Sequence, residues 1–154
     1  QKKIKETDRP AHIASWPAEQ LELPDHSIDT VVTTLVLCSV ADQQQALNEI
    51  YRVLRPDGQL LFIEHVRSKS LKTERWQKLC EPIWRCASGN CHLTRDTAIG
   101  IEKSGMTVET LLDTEMLGAP AIFRRTLRGI ARKPLHHEDI LTGREEGGPS
   151  PETA

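Results

Sequence analysis

Aromatic residues are scarce: three Trp, two Phe and one Tyr, 4% of 154 residues. Single-stranded nucleic acids are gripped by stacking bases on aromatic faces, so a platform of that kind is not expected. Charge of one sign is not in excess either. Lys and Arg number 20, Asp and Glu 22, for a formal net charge of −2. That balance gives no general hold on a phosphate backbone, and no nucleic-acid partner is expected. Long apolar runs are missing: none reaches the roughly 18 residues that cross a bilayer as a helix. The four cysteines, Cys38, Cys80, Cys86 and Cys91, form no CxxC pair. The spacings of Cys80, Cys86 and Cys91-His92 match no common zinc pattern, so the thiols read as packing groups and no metal is expected. No secretory leader is visible, which points to a cytoplasmic chain without a disulfide framework. No GxGxG-like stretch occurs, and the glycines sit in turns or in the C-terminal tail.

What remains is an ordinary globular mixture, 38% hydrophobic and 27% charged, of a length that suits one domain. Gln1 to Arg9 reads as the end of a surface helix, stopped by Pro10. The chain opens on Gln1 rather than Met, which leaves room for an upstream segment. Ala11 to Ser15 is a short strand candidate, and Leu23 to Ser27 a turn. Ile28 to Leu37 is a nearly continuous β-branched and aliphatic run, the pattern of a strand buried on both faces. Asp42 and Gln45 have the spacing of a helix-capping pair. Ala46, Leu47, Ile50, Val53 and Leu54 then recur at helical spacing, with Gln43, Gln44, Asn48, Glu49 and Arg52 on the other face. Arg55-Pro56-Asp57-Gly58 turns the chain into a second buried strand, Gln59 to Val66. Two such strands joined by one amphipathic helix favour a parallel pair in an open α/β sheet.

Beyond Val66 the pattern changes. Ser68 to Arg85 reads as helices or a lid-like insertion, broken near Pro82. Cys86 to Leu93 is a loop. Thr94 is placed to cap a helix starting at Arg95 or Asp96 and ending near Lys103 and Gly105. Met106 to Leu112 and Ala121 to Ala131 are strand candidates. Residues 1–133 make one domain on this reading, and 134–154, with Gly147-Gly148, Pro149 and Pro151, a disordered tail.

Two stretches carry a resemblance. Leu23-Pro24-Asp25-His26-Ser27-Ile28-Asp29-Thr30-Val31-Val32 resembles the "LP…S(F/V)D.V" pattern of class I S-adenosylmethionine-dependent methyltransferases. Asn48-Glu49-Ile50-Tyr51-Arg52-Val53-Leu54-Arg55-Pro56-Asp57-Gly58-Gln59-Leu60 is similar to that family's "E..RVLRPGG.L" stretch, in the same order and at the same separation. Within the family, Thr34 to Val40, Glu64-His65-Val66 and Asn90 to Asp96 look most like the alkyl-thiol methyltransferases. The quinone-biosynthesis C-methyltransferases come next. The resemblance implies a partial Rossmann-like methyltransferase fold of the α/β class. Its sheet would be mostly parallel and end in a C-terminal antiparallel hairpin. It would lack the family's first two strands, which carry the Gly-rich turn and the ribose-binding acid. Ala11–Ser15 would be the third strand, left without its neighbour and either loose or paired beside the fourth. The open edge would then invite self-association.

The resemblance also assigns roles. The cofactor would be S-adenosylmethionine. Ala18 and Glu19 match the family's adenine-side loop, although Pro17 replaces its polar residue. Thr34 and Leu35 would face the cofactor, with Val36 on the acceptor side, because α/β sheets bind ligands beyond their strand carboxyl ends. His65 is the candidate base for a thiol or hydroxyl acceptor. Glu64 and His92 are candidate acceptor-side residues. The implied activity is methyl transfer to a small, lipophilic acceptor, a thiol favoured. The rival reading is a noncatalytic α/β interaction module derived from a truncated methyltransferase. Membrane association is left open.

Overall fold

The computed structural model describes residues 11–135. The helix read at Gln1–Arg9 and nearly all of the tail lie outside them. The described chain runs β1 (Ile28–Thr34), α1 (Gln43–Val53), β2 (Leu54–His65), α2 (Leu71–Ala87), α3 (Thr97–Lys103), β3 (Thr107–Glu115) and β4 (Arg125–Arg132). The sheet order is β1-β2-β4-β3. β1 and β2 are parallel, in register from Thr30 opposite Gln59 to Thr34 opposite Ile63. β4 lies antiparallel between β2 and β3. It can occupy that place because Gly129 sits where a Cβ would lie 2.2 Å from the Thr110 carbonyl oxygen and 2.8 Å from the Phe62 ring.

The strand–helix–strand unit forms for the reasons legible in its sequence. The Asp42 carboxylate accepts from the Gln45 N–H at 3.0 Å and starts α1. Ala46, Leu47, Ile50 and Val53 are its buried stripe. They join Leu37, Leu54, Leu60, Phe62, Ile101, Met106, Leu127 and Ala131 in one core, with α1 and α3 against one face of the sheet. The polar side of α1 is not simply solvated. Arg52 pairs with Glu49 at 2.8 Å and Asp25 at 2.5 Å, and donates to the carbonyls of Leu21 and Leu23. Glu49 accepts from the Leu21 N–H at 2.9 Å, so the loop before β1 is docked on α1.

Several expectations are corrected. Ala11–Ser15 is not a strand; it is exposed coil, with Ile13 65% exposed. Its propensity alone does not order it without a neighbouring strand to pair with. β1 ends at Thr34 rather than Leu37, because Leu35 turns into the left-handed region with φ 56°. β1 and β2 are buried on one face only: Val32 is 66% and Ile63 41% exposed, since no described element packs on the opposite face. β2 begins at Leu54, so the expected turn residues extend the strand. α2 runs unbroken through Pro82. Its hold on the body is Gln77, fully enclosed, which donates to the Ile122 carbonyl at 3.0 Å and accepts from the Ser68 N–H at 2.8 Å. Trp84 stacks on Phe123 with ring centres 3.7 Å apart, whereas Trp76, Leu79 and Ile83 face outward. Asp96, not Thr94, caps α3.

Candidate active site

The carboxyl ends of β1 and β2 are where the sequence places the chemistry, and the structure gathers most of it there. The chain leaves β1 through Leu35, whose N–H still donates to the Ile63 carbonyl at 2.8 Å. A left-handed non-glycine residue costs about 1 kcal/mol, and such strain persists only where surroundings over-determine it. Glu64 supplies part of that determination. It is fully buried, and its two oxygens accept from the Val36 N–H at 3.2 Å and the Cys38 N–H at 3.0 Å. The rest comes from the segment after α2. Asn90 donates to the Ser39 carbonyl at 2.9 Å, and the His92 N–H to the Cys38 carbonyl at 2.7 Å. Arg95 donates to the carbonyls of Leu37 at 2.7 Å and Val40 at 2.8 Å. Residues 35–41 and 90–95 therefore clasp each other.

The predicted residues separate into groups. Val36 is on the rim, 40% exposed, and Thr34 is exposed at the strand end. Ala18 packs against the main core. Glu19 binds the start of α1, its Oε1 accepting from the Ala41 N–H at 2.8 Å and the Asp42 N–H at 3.2 Å. Burial pushes the Glu19 carboxyl upward, but the hydrogen bonds from Asp42 and Ala41 prevail and hold it below its usual value. His92 is oriented by Glu81 of α2, Nδ1 to Oε1 at 3.1 Å, and the Thr94 hydroxyl donates to the other Glu81 oxygen at 2.7 Å. Burial, with Arg95 and Arg85 nearby, moves the His92 pKa below its usual value despite Glu81.

His65 lies apart from the rim, 8% exposed. Its Nδ1 is 3.5 Å from the Cys91 sulfur, which is 3.5 Å from that of Cys38. Among the described residues, this is the group of three or more side chains whose donor atoms are close enough to hold a metal ion. Cys91 is thus drawn to Cys38 and His65, not to Cys80 and Cys86. The hydrogen bond with Cys38 outweighs burial and lowers the Cys91 thiol to about 7, while the same bond and burial hold Cys38 well above the usual thiol range. Arg95, Asn90 and Glu81 carry the geometry but were not singled out from sequence. The stretch from Asn90 to Asp96 was a signal, but the contacts it makes lie about fifty residues away.

A parallel pair joined by one helix, closed by an antiparallel hairpin whose second strand enters the sheet, matches part of the Rossmann-like methyltransferase fold. Residues 1–62 match the family profile described as "Methyltransferase domain". A thiol S-methyltransferase of Rattus norvegicus is 43% identical over 93 residues, covering 60% of this chain and 38% of that protein. A malonyl-[acyl-carrier protein] O-methyltransferase of Serratia marcescens is 31% identical over 141 residues, covering 88% of this chain and 51% of that protein. A crystal structure of an S-adenosylmethionine-dependent methyltransferase from Methanosarcina mazei superposes with a TM-score of 0.59. It is 22% identical and covers 77% of this chain and 65% of that one, a likeness of fold. Together these matches support a class I S-adenosylmethionine-dependent methyltransferase. The chain spans 38% to 51% of the length of these two curated relatives.

The residues present fit one side of an S-adenosylmethionine site. Leu35 and Val36 offer a fixed backbone turn and an apolar rim at the strand end. The carboxylate of Glu19 is engaged by helix-start N–H groups, and the sequence holds no Gly-rich turn to accept the cofactor closely. The fit is therefore partial, a fixed turn and an apolar rim at the strand end.

Proposed function

We propose that this chain forms the acceptor side of an S-adenosylmethionine-dependent methyltransferase whose substrate is a small, lipophilic molecule, a thiol before a ring carbon. One observation carries the reading: the strained loop at the end of β1 is held by Glu64, Asn90 and Arg95 beside a histidine already oriented by a carboxylate. When bound, the cofactor supplies an electrophilic methyl group. The chain's own residues position the acceptor and receive its proton. Val36 gives the apolar surface against which the acceptor lies, and Leu35, packed against Cys38, Cys91 and Leu93, fixes the turn before it. His92, its Nδ1 fixed by Glu81, leaves Nε2 to take a proton from the thiol, which reacts as the thiolate. His65 is a poorer candidate for that task, because its ring is enclosed by Cys38 and Cys91. The likeness to a thiol S-methyltransferase supports the choice of acceptor.

The test uses the full-length protein that contains this chain. With S-adenosylmethionine and an alkyl thiol, formation of S-adenosylhomocysteine is followed for the wild type and for His92→Asn. The variant is expected to lose about 10²- to 10⁴-fold in kcat/KM. Unchanged turnover in His92→Asn removes the base assignment; methylation of a quinone-like ring but not of thiols removes the acceptor. The 154-residue chain alone is expected to bind the cofactor weakly or not at all by calorimetry. The rival module reading is favoured by the sheet face that the described residues leave uncovered, and dimerisation of the full-length protein without cofactor binding would support it.

A further inference from the structure

Cys38, His65 and Cys91 take no part in the chemistry proposed above, and they come from three separate segments: the loop after β1, the end of β2 and the loop after α2. We propose that these three side chains are the ligands of one thiophilic divalent cation, zinc first. Their donor atoms all lie within 4.8 Å of one another, with Cys38 Sγ to Cys91 Sγ and Cys91 Sγ to His65 Nδ1 both 3.5 Å. A tetrahedral zinc ion, with Zn–S about 2.3 Å and Zn–N about 2.0–2.1 Å, sets sulfur–sulfur edges of about 3.8 Å and sulfur–nitrogen edges of about 3.6 Å. Two edges of the triangle lie close to those values, and the third, between Cys38 and His65, closes within 4.8 Å.

Charge favours the same occupant. Cys38 is fully buried and Cys91 and His65 nearly so. A divalent cation with two thiolates and a neutral imidazole has no net charge, so its burial avoids the desolvation cost of an isolated ion. Without an ion, the three side chains are joined only through weak thiol contacts. Ser39 Oγ, 3.6 Å from Cys38 Sγ, or a water offers an oxygen for the fourth position. Such an ion would pin together the segments that shape the rim, a structural role independent of the methyl-transfer reading.

Cobalt(II) reports the site directly, since tetrahedral thiolate coordination gives visible d–d bands and near-ultraviolet charge transfer. The full 154-residue chain, reduced and metal-free, is titrated with cobalt(II) and then with zinc(II). One equivalent of cobalt should develop both bands, zinc should bleach them, and zinc should raise the melting temperature. Cys38→Ser and Cys91→Ser should each weaken binding by at least about 100-fold, while the double variant Cys80→Ser, Cys86→Ser should keep it. Absence of the bands at stoichiometric cobalt overturns the proposal. So do bands that survive Cys38→Ser and Cys91→Ser, bands lost in the Cys80/Cys86 variant, or a Cys38–Cys91 disulfide in a chain that takes up no metal. The wild-type titration decides even where a cysteine variant fails to fold.

Discussion

Glu64 is the residue on which the rim depends most. A buried carboxylate that accepts from two backbone N–H groups cannot be replaced by a group that donates. Glu64→Gln keeps one acceptor oxygen and turns an NH2 toward a backbone donor. A lost hydrogen bond to a charged group, with a buried N–H left unpaired, costs about 1.5–3 kcal/mol. The variant is expected to unfold at lower urea by that amount, and its amide exchange should rise first over residues 35–38. A wild-type midpoint with unchanged exchange would remove Glu64 from this role. At this scale the sequence told only part of the story. Glu64 and His65 were legible as strand-end polar residues, because a charged pair closing an apolar run stands out. Their separate fates were not. Glu64 meets the backbone of Val36 and Cys38 across more than two dozen positions, and His65 meets Cys91 over a similar gap. Local spacing, which finds metal and catalytic pairs on one turn or hairpin, has no access to such meetings.

At the scale of elements, α1 was legible almost residue for residue, because its cap and its apolar stripe are local properties. What α1 does with its polar face was not, since Glu49 and Arg52 act on a loop some thirty positions earlier in the chain. That docking has a pH signature. Hydrogen bonding to Arg52, against the opposing effect of burial, holds the Glu49 carboxyl at about 2, below its ordinary 4.5. A carboxyl depressed in the folded state adds stability that is complete above its unfolded pKa and disappears as pH falls through its folded one. The urea midpoint should therefore fall as pH drops from 4.5 toward 2, and the fall should be shallower in Arg52→Gln. Equal slopes would place the acid sensitivity elsewhere. Pro82 gives the second element-level prediction. Proline should have ended α2, but Gln77 and the Trp84–Phe123 stack hold the helix on both sides of it. The Lys78 carbonyl is left without its helical donor, an interior cost of about 3 kcal/mol. Since Pro82 is exposed, Pro82→Ala should raise stability by about 1–3 kcal/mol. A loss of stability on calorimetric melting would mean that the ring makes a contact worth more than the hydrogen bond.

For the described residues taken as a whole, the decisive feature is a sheet that they cover on one side. Repeated aliphatic residues in β1 and β2 suggested burial on both faces, and chemically they suit it. Sequence pattern records what a face can accept, not whether a covering element is present in the same stretch of chain. The uncovered side is a groove of about 380 Å³ lined by Val32, Ile63, Leu112 and Ile130 among others. β1, at the edge of the sheet, has no partner beyond it among the described strands. Apolar faces and unpaired strand edges both drive association. The isolated chain is therefore expected to self-associate, with a mass that rises with concentration in sedimentation equilibrium. Val32→Lys with Ile63→Lys places two charges on the face that already holds Arg128. Burying them against a second copy would require desolvating like charges, so association should weaken at least ~10-fold, about 1.4 kcal/mol. Both positions are at the surface, 66% and 41% exposed, so the melting temperature of the dilute chain should hardly move. If association persists unchanged in the double variant, the β1 edge rather than the open face carries it, and a lysine directed at the edge becomes the substitution that disperses the chain. A wild-type chain that stays monomeric at high concentration would show that neither surface is available.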